Sequence, residues 1–158
     1  MSIAIVKLLH FIDPPYYGMA AILAVASFLV TRKWAPSLLT GYLLLVLAVT
    51  VLDRRTGTNA RFQLHLFWSY NAWKAQKAQV LQNILLFIPV GILAGKWVGK
   101  RGIWFGIGPS SAIEIVQLIS HRGLFELDDI IHNTLGTILG YLILLVFHRL
   151  TEQFKYKE

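Results

Sequence analysis

The chain contains no cysteine, which excludes disulfides and thiolate metal sites and says nothing about compartment. Charge is also scarce. Asp, Glu, Lys and Arg together make up 15% of the 158 residues, where soluble domains carry about 25%. The acidic side is the thinner one, 8 residues against 15 Lys and Arg, so the formal net charge is +7. No DNA- or RNA-binding motif and no Gly-rich phosphate loop accompanies that charge, and nucleic acid is not expected as a partner. Ser-His-Asp and Cys-His arrangements are lacking too, as are internal repeats and low-complexity stretches. The chain is rich in apolar side chains, at 56%. A soluble domain this short could not bury so much apolar surface, so the solvent for much of it is expected to be lipid.

A membrane span needs about 20 largely apolar residues, within a range of about 17–25. Five stretches qualify or come close: residues 16–31, 34–52, 80–98, 102–120 and 130–147. Pro14-Pro15 would stop a helix entering the first from upstream, and Asp53-Arg54-Arg55 ends the second with charge. No basic region precedes the first long run, so a cleaved signal peptide is not expected. Two other segments are too short or too polar to span. Residues 2–13 set Lys7 and His10 among apolar neighbours and read as an interfacial helix. Residues 62–79 mix Phe67, Trp68, Tyr70 and Trp73 with Lys74 and Lys77, which suits an amphipathic loop lying on the membrane. The expected fold is an all-α integral membrane protein of about five transmembrane helices, a single domain over residues 1–158 with a basic tail at 148–158.

Five spans place the N-terminus and the 53–79 and 121–129 loops on one face. The 31–33 and 96–101 loops and the tail fall on the other. Lys and Arg number 7 on the first and 8 on the second, but the second packs them into far fewer residues. It is the better cytoplasmic face, with the other facing outward.

Threading the spans alternately brings scattered polar residues to one level. Asn83 lies about one turn into the third span, Gln117 and Glu114 about 5–10 Å below the same face in the fourth. Arg122, Asp128 and Asp129 follow in the connecting loop and Asn133 about one turn into the fifth span, while Asp53 and Arg54 end the second. Ser110, Glu114, Gln117 and His121 share one helical stripe, and Asp129, Asn133, Gly136 and Gly140 share another. Gly136 with Gly140, and Gly91 with Gly95, form G-x-x-x-G, the spacing that lets helix backbones approach closely in lipid. A carboxylate costs roughly 2.5–3.5 kcal/mol near the bilayer centre. Glu114 is therefore expected to be protonated, hydrogen-bonded or paired, with Arg122, Arg61 or Arg54 as candidate partners. The layer is read as a candidate functional site, with a purely architectural polar knot as the alternative. No recognised metal-ligand spacing supports drawing His121 and His132 with Asp128 and Asp129 as a metal site, and no cofactor is implied.

The same residues carry a family resemblance. Asn83-Ile84-Leu85-Leu86-Phe87-Ile88-Pro89-Val90-Gly91 resembles the N-x-L-L-F-x-P-x-G signature of the VanZ-like, teicoplanin-resistance family. Ser111-Ala112-Ile113-Glu114-Ile115-Val116-Gln117-Leu118 resembles its S-x-x-I-E-x-x-Q-L. Arg122, then Asp128-Asp129 through Asn133 and Gly136, resembles its R-x-x-D-x-x-D-x-x-x-N-x-x-G ending, with Glu126 at the earlier acidic position. The likeness is strongest over residues 53–141. Within it, residues 56–79 depart from the family pattern, and Arg61 is matched only loosely.

The resemblance implies a multi-pass protein of the bacterial cytoplasmic membrane, associated with reduced susceptibility to teicoplanin-type lipoglycopeptides. It implies no reaction or substrate. The expected mode is binding: an outward polar layer engaging a membrane lipid, a lipid-linked cell-wall precursor or the lipoglycopeptide. Two alternatives stay open. One is an intramembrane enzyme acting on a lipid-linked phosphate or sugar, with Glu114 or Asp129 as acid or base. The other is a structural or partner-binding subunit.

Overall fold

In a computed structural model the chain is described over residues 14–52, 54, 56, 57 and 62–155. The expected interfacial helix at 2–13, and the candidate residues Asp53 and Arg61, lie outside the described residues. In chain order, α1 runs Pro14–Thr31 and α2 runs Trp34–Leu47, closing in a π-helical turn, Ala48–Leu52. A two-residue strand β1 (Phe62–Gln63) and a short helix α3 (Trp68–Asn71) lead to α4 (Trp73–Val98). A 3-10 turn (Gly99–Ile103) joins it to α5 (Trp104–Ile119), after which come β2 (Phe125–Glu126) and α6 (Leu127–Lys155).

The all-α class expected from the apolar runs is the one observed, and the five long helices sit on the five runs. Three stretches are long and apolar enough to cross a membrane: Trp34–Leu52, the α4–α5 stretch Trp73–Ile119, and Leu127–Gln153. The first apolar helix, Tyr16–Thr31, is shorter. The part of 62–79 read as a surface loop is more ordered than expected, because α4 starts at Trp73 rather than near residue 80. The chain divides into two compact units, residues 1–63 with 112–126, and residues 64–111 with 127–158.

In the first unit α1 and α2 form a helical hairpin, turned at Arg32, whose backbone is left-handed (φ 55). Gly41 permits the close approach, since a Cβ there would lie 2.7 Å from the Ala20 carbonyl oxygen. Ile22, Val25, Leu29 and Val30 of α1 stay exposed, as lipid-facing side chains should. The strands β1 and β2 pair in parallel, Phe62 opposite Phe125 and Gln63 opposite Glu126.

In the second unit α4 packs along α6. Their contacts rise together in number. Gln79 meets Asp129, Ile84 meets Gly136, Ile88 meets Gly140, and Gly95 meets Tyr141 and Leu144. The two helices are therefore parallel. The start of α5 returns antiparallel beside α6, with Gly106 against Thr137 and Ser110 bonded to Asn133. Phe87, Val90 and Ala94 are fully buried on α4.

Candidate functional site

In the first unit the polar residues tie a helix end to a loop. A π-helical turn spaces its hydrogen bonds five residues apart, and a helix end leaves its last carbonyls unsatisfied. Gln117 donates Nε2 to the Thr50 carbonyl at 2.9 Å, and its Oε1 lies 3.5 Å from Arg54 Nη1. Arg122 Nη1 donates to the carbonyls of Val51, Leu52 and Arg54. A guanidinium there also meets the negative end of the helix dipole. Gly123 makes room, since a Cβ would lie 2.7 Å from Gln117 Oε1. Glu114 is buried and accepts the Glu126 N–H on Oε2 at 2.8 Å. Of the cations named as its candidate partners, Arg122 is directed at carbonyls and Arg54 at Gln117.

In the second unit the first turns of α6 gather a denser polar group. Asp128 is buried and accepts the Phe67 N–H at 2.6 Å, the Ser69 N–H at 3.0 Å and the Ser69 hydroxyl. That set of donors explains a strained backbone. Phe67 is left-handed (φ 61), a conformation non-glycine residues avoid, and the carboxylate holds it there. Asp129 accepts Gln79 Nε2 at 3.0 Å. His132 Nε2 lies 3.2 Å from the Tyr70 hydroxyl, and Tyr70 stacks on Trp73 with ring centroids 5.7 Å apart. Asn133 donates Nδ2 to Ser110 Oγ at 2.7 Å. Asn83 sits one turn beyond Gln79 on the same face of α4. The parallel register places it at the level of Asn133.

This group is incompletely satisfied. Asn83 is 8% exposed, His132 2% and Asn133 4%. Even so, among the described residues Asn83 Nδ2, His132 Nδ1 and Asn133 Oδ1 have no hydrogen-bond partner, nor does Trp68 Nε1. Flipping the Asn133 amide would only exchange an unpaired acceptor for an unpaired donor. Each such group costs about 1–3 kcal/mol when buried, so the cluster carries unspent hydrogen-bonding capacity of both kinds. Among the described residues no three His, Asp or Glu side chains gather as a metal-ligand set.

The candidates thus fall into two sets. Asn83, Asp128, Asp129 and Asn133 lie in the second unit with Ser69, Tyr70, Gln79, Ser110 and His132. Glu114, Gln117, Arg122 and Arg54 lie in the first. Sequence reasoning gave Ser69 no role and read Tyr70 only as part of a membrane-surface segment, because they reach α6 across some 60 residues and no periodicity marks them. Asp128→Ala is expected to lower the melting temperature of the purified protein, through a loss of about 1–3 kcal/mol from the buried Ser69 N–H left unpaired. Hydrogen exchange should rise at residues 67–69.

A family model described as VanZ/LLP1 matches residues 38–148, from α2 through most of α6. No curated protein and no solved structure matches the chain. The matched span is well over half of the sequence and contains Asn83, Glu114, Gln117, Arg122, Asp128, Asp129 and Asn133, so the chain belongs to the VanZ/LLP1 family.

Proposed function

We propose that this VanZ-family membrane protein resides in the bacterial cytoplasmic membrane and lowers susceptibility to teicoplanin-type lipoglycopeptides. It does so by engaging the headgroup of a lipid or lipid-linked cell-wall precursor through the polar group at the start of α6, which faces outward. One observation carries the reading: Asn83, His132 and Asn133 are buried yet keep unpaired donors and acceptors. A headgroup bearing hydroxyl and amide groups supplies partners of both kinds. Ion pairing is not the expected mode, since Asp128 already accepts three donors.

Expression in a susceptible bacterial host should raise the teicoplanin concentration needed to stop growth and reduce binding of labelled antibiotic to the cells. Unchanged susceptibility at verified expression would remove the antibiotic from the reading. Orientation has its own test within the second unit. Leu66 and Lys100 are both exposed, and the 26 residues of α4 between them make a rod of about 39 Å. In intact cells, an impermeant thiol reagent should label Leu66→Cys and should reach Lys100→Cys only after permeabilisation. The reverse pattern would place the polar group in the cytoplasm and end the proposal.

A further inference from the structure

At the other end of the second unit, a cavity of about 190 Å³, partly open to the surface, lies between α4 and α6 and is lined by Lys96, Tyr141, Leu144, Leu145 and His148, with Gly95 and Gly99. We infer that this cavity is a binding site for an anionic phospholipid, taking the phosphate beside Lys96 and an acyl chain along Leu144 and Leu145. The inference does not depend on the antibiotic reading or on the polar group at the start of α6.

Three features converge on that ligand. The first is room. The volume equals that of about six water molecules at liquid density, enough for a phosphate and the glycerol carbons next to it. One wall is set by Gly95, which lets Tyr141 pack against α4, since a Cβ there would lie 2.7 Å from Tyr141 Cδ2. The second is charge. Lys96 lines the cavity, and the 3-10 turn that packs on both α4 and α6 carries Lys100 and Arg101. Two features oppose an anion. Glu152 lies 3.4 Å from His148 Nε2, and the carbonyl end of α4 points its dipole the wrong way. A helix end acts as about half a unit charge, against the full charge of each Lys or Arg. The three cations therefore outweigh both.

The third feature is amphipathic zoning. Leu144 and Leu145 wall the cavity, and the exposed Val146 and Phe147 follow them on α6. A free phosphate has no use for such a wall. A lipid does. Basic pockets between transmembrane helices are a recurring means of holding acidic headgroups.

The test uses the full chain, purified in a neutral detergent. The readouts are melting temperature and lipid retention by native mass spectrometry. Dioleoyl phosphatidylglycerol should raise the melting temperature, and dioleoyl phosphatidylcholine and soluble glycerol phosphate should not. Lys96→Gln should weaken phosphatidylglycerol binding about fivefold, the equivalent of one surface cation. Lys96→Arg should restore it. Lys33→Gln, which removes a cation that does not line the cavity, should leave it unchanged. Equal stabilisation by phosphatidylcholine would overturn the charge assignment, and equal stabilisation by glycerol phosphate would overturn the lipid. A loss at Lys33→Gln as large as at Lys96→Gln would reduce the effect to diffuse surface charge.

Discussion

Gly140→Ala is expected to leave little correctly folded protein in detergent, although alanine is the best helix former and in an open helix gains up to about 1 kcal/mol over glycine. A Cβ at Gly140 would lie 2.0 Å from the Ile88 carbonyl oxygen, and one at Gly91 would lie 2.0 Å from that of Thr137. The obstacle is backbone in both cases, so no rotamer change relieves it and α4 must move away from α6. That separation strips contacts from Phe87, Val90 and Ala94, which are fully buried. In lipid these contacts matter more than they would in water, because helix association there rests on packing rather than on escape from solvent. Overpacking costs about 1–3 kcal/mol where side chains can adjust, and here the cost should reach or pass the upper end. Gly136→Ala should behave alike, with its Cβ 2.2 Å from the Ile84 carbonyl oxygen. Gly108→Ala is the contrast. A Cβ there meets nothing within 4 Å, so stability should hold or rise. The measurement is monodispersity on size exclusion together with melting temperature. Equal behaviour of Gly140→Ala and Gly108→Ala would mean that the α4–α6 contact is looser than its geometry.

The G-x-x-x-G pairs were legible in the sequence because close helix contact in lipid has a small-residue spacing as its signature. The helices were legible for a similar reason, since apolar runs such as 34–52 and 130–147 have few other uses in so short a chain. Burial of Glu114, Gln117, Asp129 and Asn133 also follows the stripes that helical spacing defines. What those residues bond to did not follow. Arg122 was a candidate counter-ion for Glu114, yet it caps the carbonyls of Val51, Leu52 and Arg54. Every helix end needs caps, but which carbonyls of α2 stand open depends on its closing π-helical turn, and no residue in Ala48–Leu52 announces one. The docking of Ser69 and Tyr70 on α6 was hidden likewise. Aromatic and basic side chains at 62–79 suit a membrane surface by composition, while the left-handed Phe67 and its bond to Asp128 are set by tertiary contact. Periodicity reports which face is buried, and hydrogen-bond partners across long separations leave no periodic trace.

Separating a site from a scaffold is the purpose of Asn83→Leu. Leucine keeps the branched outline of asparagine and discards a buried amide nitrogen that has no partner. An unsatisfied donor costs about 1–3 kcal/mol, and replacing it with an apolar group of similar shape is neutral or stabilising. The melting temperature should therefore hold or rise, because Asn83 contributes nothing through that nitrogen to the resting fold. If the amide instead awaits a headgroup, the variant loses one hydrogen bond to the ligand, worth about 0.5–1.5 kcal/mol. It also confronts the ligand's polar atom with hydrocarbon, so protection against teicoplanin should fall sharply although the protein is inserted and stable. Ser110→Ala makes the opposite case. It removes the Ser110 Oγ that Asn133 Nδ2 reaches at 2.7 Å, leaving that group unpaired, so stability should fall. Melting temperature and teicoplanin susceptibility, measured on the same two variants, separate the cases. A stable Asn83→Leu protein that still protects cells in full would show that the unpaired amide serves no ligand, and the headgroup site would have to be abandoned. A destabilised one would show that the amide is satisfied by structural water, and the polar group would then be architecture.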